Sequence, residues 1–127
     1  MRTLVAGADL SQDAFLERTV AGEGYATPVL VVDNLELNRV ERTVVRGGRP
    51  IDLTRREFAL LEFLMCNATQ PVTRAQIVEN VWHLSSDTMT NIVDVYINYL
   101  RKKIDAGWDR KLIRTVRGVG YRMRAER

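Results

Sequence analysis

The sequence is poor in cysteine and histidine, with one of each among its 127 residues, and it lacks any long apolar run. A lone Cys66 excludes an internal disulfide and cannot by itself form a thiolate metal site. The longest apolar stretches, such as residues 28–32 and 58–61, fall far short of the roughly 20 residues that span a bilayer. Asp9 and Asp13 interrupt the N-terminal apolar stretch before the core of a signal peptide could form. We therefore expect a cytoplasmic protein that does not enter membranes.

The same scarcity argues against catalysis and metal binding. An enzyme needs convergent acid, base or nucleophilic groups, and this sequence offers one His, one Cys and no phosphate-binding loop. His83 has no second metal-ligand candidate nearby, so neither a metal site nor a cofactor is expected. Cys66 is predicted to pack in the interior. The sequence does not predict an enzyme.

Positive charge is concentrated at one end of the chain. Residues 101–127 contain ten Lys or Arg against three Asp or Glu, whereas residues 1–100 contain nine against thirteen. Sixteen of the nineteen basic residues are Arg, whose planar guanidinium matches phosphate and guanine edges better than an ammonium does. Such a segment is either a solvated surface or a surface for an anionic partner, and charge alone leaves both open.

The sequence of the N-terminal half predicts two small structural units, a strand followed by a helix and then a sheet. Residues 1–27 predict a strand at 3–6 and a helix at 11–21 that ends in a glycine-containing turn. Four short β-type runs follow, and the Gly47-Gly48 pair between the last two is a hairpin signal. These predicted strands are residues 29–32, 35–37, 40–46 and 50–53. We expect a small antiparallel sheet.

Capping patterns predict the starts of two helices. Thr54 with Glu57, and Thr73 with Gln76, match the capping box, in which hydroxyl and carboxylate or amide groups satisfy exposed backbone N–H groups reciprocally. The first helix is expected to run to about residue 67 and the second to about residue 82. Periodicity predicts that both bury an apolar face, made of Phe58, Leu61, Leu64, Met65, Ile77, Val81 and Trp82.

A third helix and a hairpin complete the predicted order. At 100° per residue, the residues of 88–105 divide into an apolar face and an opposite polar face with one exposed valine. The apolar face is Val93, Ile97, Leu100 and Ile104, and the opposite face is Asn91, Val95, Asn98 and Lys102. Two strands at residues 112–116 and 121–123 follow, joined by residues 117–120.

This order predicts an α+β fold, a winged helix-turn-helix with an N-terminal small antiparallel sheet, three helices and a C-terminal hairpin wing. Five segments in the same order resemble the DNA-binding effector domain of OmpR/PhoB-type response regulators. They are residues 52–61 (DLTRREFALL), 72–76 (VTRAQ), 91–95 (NIVDV), 100–104 (LRKKI) and 113–121 (IRTVRGVGY). The sequences of residues 87–95 and 111–121 are most similar to those of the heavy-metal-responsive, CusR/CopR-like branch. The resemblance covers about residues 29–124.

The resemblance implies sequence-specific binding to double-stranded DNA. The third helix would lie in the major groove and the wing would reach the minor groove. The implied DNA-facing positions are Asn91, Asp94, Val95, Asn98, Tyr99 and Lys102, with Arg101 at their flank and Thr115 and Arg117 on the wing. Chemistry agrees, because Asn pairs with adenine, Asp accepts from cytosine and Val contacts a thymine methyl. Gly118 and Gly120 are expected to let the wing backbone approach a phosphate.

The resemblance also implies partners and regulation. Relatives bind tandem half-sites, so we expect a monomer in solution that pairs on DNA. The family's RNA polymerase contact corresponds to His83, Leu84, Ser85, Ser86 and Asp87, although a plain connector is an open alternative. Residues 1–27 resemble the first strand and helix of a receiver domain and leave residues 28–127 as the DNA-binding domain. Because Asp9 is the sole remnant of the acidic pocket, we expect phosphorylation-independent binding.

A winged helix can also serve as a protein-interaction module without specific DNA binding. An acidic third helix would favour that alternative. The predicted outward face carries Asn, Lys and Arg instead, and these side chains favour nucleic acid.

Overall fold

The computed structural model describes residues 28–85 and 90–124, so the predictions for residues 1–27 lie outside the described residues. It confirms the α+β winged helix-turn-helix. The elements in chain order are β1 (Val29–Val32), β2 (Leu35–Asn38), β3 (Thr43–Arg46), β4 (Arg49–Ile51), α1 (Arg55–Cys66), β5 (Val72–Thr73), α2 (Arg74–Ile77) continued by a π-helical segment (Val78–Trp82), α3 (Asn91–Ile104), β6 (Ile113–Val116) and β7 (Gly120–Met123).

The N-terminal sheet is antiparallel in the order β1-β2-β3-β4. Gly47 and Gly48 adopt positive φ angles of 59° and 81° between β3 and β4, as the predicted two-residue hairpin requires. The prediction that β3 starts at residue 40 is wrong. The Asn38 side chain accepts hydrogen bonds from the N–H groups of Val40 and Glu41, which holds these residues in a turn.

The two predicted capping boxes are both present. Thr54 and Glu57 cap α1, and Thr73 and Gln76 cap α2. Within each pair, the side chain of each residue accepts a hydrogen bond from the backbone N–H of the other residue. The π-helical segment after α2 was not predicted; there the His83 N–H donates to the carbonyl of Val78. Cys66 is exposed, so the prediction of a buried thiol is wrong. It is the last residue of α1 and falls outside the stripe formed by Leu61, Leu64 and Met65.

The C-terminal sheet contains a strand that sequence reasoning missed. Its order is β5-β7-β6, and β5 pairs antiparallel with β7, with Val72 opposite Tyr121 and Thr73 opposite Gly120. A strand of two residues is too short for its periodicity to be read from sequence. This pairing joins the wing to the residues that immediately precede α2.

The core fills the space enclosed by α1, α3 and the two sheets. Its fully enclosed side chains include Leu35, Leu37, Leu60, Leu61, Ile97, Leu100, Leu112 and Met123. Trp82, which was predicted to be buried, is only partly buried and packs at the edge of this core. Among the helices of residues 28–85 and 90–124, none combines the length and the apolar character that crossing a membrane requires.

Candidate nucleic-acid interface

Helix α3 presents two different faces, as its periodicity predicts. Val93, Ile97, Leu100 and Ile104 are fully buried. On the other side Asn91, Asn98 and Lys102 are exposed, and Val95 and Tyr99 are 44% and 45% exposed. Because burying apolar surface stabilises the fold by about 25 cal/mol per Å², an outward Val beside an outward Tyr forgoes that gain. This face is suited to contact a partner.

An aromatic cluster supports the exposed face from behind. The Tyr96 ring lies 5.3 Å from the Trp82 ring and 5.3 Å from the Tyr99 ring, both with edge-to-face geometry. The Arg56 guanidinium lies 5.4 Å from the centroid of Trp82 and donates to the carbonyl of Val81. Edge-to-face pairs add about 0.5 to 1.5 kcal/mol beyond burial, so the cluster fixes where Tyr99 stands.

Three of the residues predicted to contact DNA form hydrogen bonds with other side chains of the protein. Asp94 accepts a hydrogen bond from Arg74 Nε at 2.8 Å and a short one from the Tyr121 hydroxyl. Arg101 donates to the Thr115 hydroxyl at 2.8 Å and lies over the Tyr121 ring, with its guanidinium carbon 5.5 Å from the centroid. We call Arg74, Asp94, Arg101, Thr115 and Tyr121 the Tyr121 network. It joins α2, α3 and both wing strands.

The network shifts the pKa values of three of its members. The hydrogen bond to Asp94 raises the pKa of Arg74. Burial alone would raise the pKa of Asp94, but hydrogen bonds from Tyr121 and Arg74 outweigh it and hold that pKa below its ordinary value. Burial, together with the hydrogen bond to the Asp94 carboxylate, raises the pKa of Tyr121. Asp94 is therefore ionised and Tyr121 protonated at neutral pH, the pairing that makes a charge-assisted hydrogen bond.

The wing exposes one cation at its tip. Arg117 is exposed, and Gly118 next to it has a positive φ of 78°, which suits glycine in a tight turn. The prediction that Gly120 lets the backbone approach a phosphate is wrong. Gly120 is buried, and a Cβ there would overlap the carbonyl oxygen of Val72. Its missing side chain allows β5 and β7 to pack closely.

An open groove of about 730 Å³ runs between the C-terminal half of α3 and β6. Its polar lining contains four basic side chains, one amide, one hydroxyl and one carboxylate, those of Arg101, Lys102, Lys111, Arg114, Asn98, Thr115 and Asp105. Lys111 donates to the carbonyls of Asp105 and Trp108, which holds its ammonium near the end of α3. The positive charge counted along residues 101–127 is thus gathered partly beside the exposed face of α3.

A buried ion pair fixes this end of α3, and sequence reasoning missed it. Arg46 of β3 is 1% exposed and Asp105 is 4% exposed, and Arg46 Nη1 lies 3.0 Å from Asp105 Oδ1. Asp105 also accepts from the N–H groups of Leu112 and Ile113, where the wing begins. The N-terminal sheet therefore holds the end of α3 and the start of the wing. The available sequence signal was that Arg46 lies two residues after Val44 in β3 and therefore on the same, buried face of the strand.

A second ion pair joins α1 to α3. Lys103 Nζ lies 2.6 Å from Oε1 of Glu57, which also caps α1 by accepting from the Thr54 N–H. Burial would raise the pKa of Glu57, but the bonds from Lys103 and Thr54 outweigh it and lower the pKa below its ordinary 4.5. A lowered folded pKa means that the stabilisation is complete above that ordinary value and is lost as pH falls through the folded pKa.

We expect Glu57→Gln to reduce the free energy of unfolding by about 1.5 to 3 kcal/mol at pH 7, because Gln keeps an acceptor for the cap but loses the charge. Urea unfolding at a series of pH values should show this difference shrinking below pH 4.5. Glu62→Gln is the matched control, since its pair with Arg39 is partly exposed and should contribute less than about 1 kcal/mol. A difference that is constant with pH would contradict the role of the charge.

The predicted polymerase-contact loop is described only in part. His83, Leu84 and Ser85 are exposed, and His83 has a positive φ of 57°. Ser86 and Asp87 lie outside the described residues. Across residues 28–85 and 90–124, no group of three or more His, Cys, Asp or Glu side chains is arranged to hold a metal ion.

Comparisons with known proteins identify the class. The profile of the family described as "Transcriptional regulatory protein, C terminal" matches residues 48–123. The chain is 49% identical over 111 residues to the response regulator MprA of Mycobacterium sp. (strain KMS), covering 87% of this chain and 48% of that protein. It spans about half the length of such relatives.

Solved structures agree in fold. The response regulator DrrB, described as a Thermotoga maritima OmpR/PhoB homolog, has a TM-score of 0.67 at 32% identity, covering 76% of this chain and 44% of that one. The Klebsiella pneumoniae RstA DNA-binding domain in complex with RstA box has a TM-score of 0.69 at 31% identity, covering 77% of this chain and 98% of that one. The chain belongs to the OmpR/PhoB-type family of response-regulator DNA-binding domains, a family of transcription regulators.

Proposed function

We propose that this protein is a sequence-specific, double-stranded DNA-binding transcription regulator. The observation that carries the proposal is the exposed face of α3, with Asn91, Val95 and Asn98 turned away from the core beside a basic groove. Asn can form two hydrogen bonds with adenine in the major groove, and Val can contact a thymine methyl. The RstA DNA-binding domain, similar in fold, was crystallised with its DNA box, which supports the same class of ligand.

Two kinds of contact follow from the placement of these side chains. Asn91, Val95, Asn98 and Tyr99 would meet base edges, whereas Lys102 at the groove and Arg117 at the wing tip would meet phosphates and the minor groove. Arg101 and Thr115 are bonded to each other at 2.8 Å. They would therefore contact the DNA backbone only through the polar atoms that this bond leaves exposed.

Partners and regulation belong to the same proposal. The protein would be a cytoplasmic monomer that pairs on tandem half-sites, with His83 to Asp87 facing RNA polymerase. Within the family it would resemble the heavy-metal-responsive regulators. Residues 1–27 would be a receiver-like segment, and DNA binding by residues 28–127 would not depend on phosphorylation.

Selection from random duplex DNA should recover a preferred site with two contacts about 10 to 10.5 bp apart. On that site, we expect Asn98→Ala and Val95→Ala each to lower discrimination at one base pair by about 1 to 3 kcal/mol. Lys102→Ala should instead weaken specific and non-specific duplexes alike, and it should reduce the slope of log K against log salt by about one. Fluorescence anisotropy at several salt concentrations measures both quantities.

Arg49→Ala is the matched control for a lost positive charge, because Arg49 lies on β4 of the N-terminal sheet. Its salt slope should equal that of the unsubstituted protein. Identical behaviour of the three α3 variants would contradict the proposed orientation of the helix. If the protein bound no duplex DNA even at low salt, the proposal would be wrong and the alternative, a protein-interaction module, would be favoured.

A further inference from the structure

We infer that Asp94 is a positioning residue that sets the angle between α3 and the wing, rather than a side chain that reads a base. The inference rests on the proposed function and gives a different role to Asp94, which the family resemblance places among the DNA-facing positions. The side chain of Asp94 is 43% exposed, so exposure alone does not separate the two roles. The contacts of its carboxylate do.

The carboxylate connects three elements through one oxygen. Asp94 Oδ1 accepts from Arg74 Nε of α2 at 2.8 Å and from the hydroxyl of Tyr121 in β7. Tyr121 itself is 5% exposed, and its backbone pairs with Val72 of β5. Moving α3 relative to the wing would therefore break a hydrogen bond between an ionised acceptor and a donor that is almost fully buried, which is costly.

Two arginine side chains lie close to the ring of Tyr121, whose hydroxyl donates to Asp94. The guanidinium carbons of Arg74 and Arg101 lie 5.2 and 5.5 Å from the centroid of the Tyr121 ring. Arg101 also bonds Thr115 and the carbonyl of Ile113, both in β6. The Tyr121 network thus fastens α3 to the wing at two points along the helix, Asp94 and Arg101, about two turns apart.

This arrangement has a consequence for recognition. Base contacts by α3 and contacts by Arg117 at the wing tip occur together only if the helix and the wing already stand at the angle that the DNA requires. A preformed angle reduces the ordering cost of binding. An ionised carboxylate near phosphates is also repulsive unless compensated, and Arg74 supplies that compensation at 2.8 Å.

The test compares Asp94→Asn with Tyr121→Phe in the full chain, by selection from random duplexes and by affinity for the preferred site. Tyr121 is too buried to contact a base. The two substitutions should therefore have the same effect on DNA binding only if Asp94 acts by positioning α3 against the wing. We expect each to weaken specific binding about tenfold while the preferred base at every position stays the same. Because both variants break one network, the double variant should cost no more than the more damaging single variant.

Glu62→Gln is the matched control, since it removes a carboxylate charge on α1, outside the network and the exposed face of α3, and should leave the specific affinity unchanged. A new preferred base for Asp94→Asn, with Tyr121→Phe unaffected, would overturn the inference and leave the proposed function standing. Additive losses in the double variant would overturn it as well. If the unsubstituted protein selected no sequence, the proposed function would fail and the inference with it.

Discussion

Arg46→Ala is expected to destabilise the protein by about 3 to 5 kcal/mol, because it leaves the buried carboxylate of Asp105 without its ion-pair partner. The loss extends beyond one pair. Arg46 also donates to the carbonyls of Ile104 and Arg110 and to the Asn34 side chain, at 2.8, 2.6 and 3.0 Å. These bonds hold the end of α3 and the loop before the wing, and a neutral side chain replaces none of them.

Urea unfolding monitored by circular dichroism measures the change. Arg49→Ala is the control across the same hairpin, where Arg49 pairs with Arg46 in register but is exposed. Its effect should stay within about 0.5 kcal/mol. Equal effects of the two substitutions would show that the buried pair contributes no more to stability than a surface arginine does.

Gly120→Ala is expected to destabilise the protein by up to about 3 kcal/mol, because the added methyl group would overlap backbone atoms that cannot rotate aside. The Cβ would collide with the carbonyl oxygen of Val72, and β5 would have to separate from β7. Since Tyr121 follows directly in β7, the separation would also disturb its bond to Asp94. Thermal unfolding and affinity for the preferred duplex should both decline.

Gly118 provides the control within the same wing. It has space for a Cβ, with nothing within 4 Å, but its φ of 78° is left-handed. Asn adopts that conformation more readily than most residues, so Gly118→Asn should cost only about 1 kcal/mol, whereas Gly120→Asn should be at least as harmful as Gly120→Ala. If Asn were tolerated equally at both positions, the close packing of β5 on β7 would not be the reason for Gly120.

Local signals in the sequence were sufficient for much of the fold. A capping box involves residues three apart, a Gly-Gly hairpin involves neighbours, and a buried helix face repeats every three to four residues. Thr54, Thr73, the Gly47-Gly48 turn and the two faces of α3 were therefore all predicted correctly. The exposed positions of the candidate interface on α3 follow from the same periodicity.

Contacts between distant segments were decided only by the tertiary structure. Arg46 and Asp105 are 59 residues apart, and Asp94 and Tyr121 are 27 apart. No local pattern shows that Asp94 meets a wing tyrosine while Asn98, one helical turn later, stays exposed. The sequence by itself determined which face of α3 is polar, because that depends on helix geometry alone. Which side chains on that face are already engaged depends on how the wing packs against it.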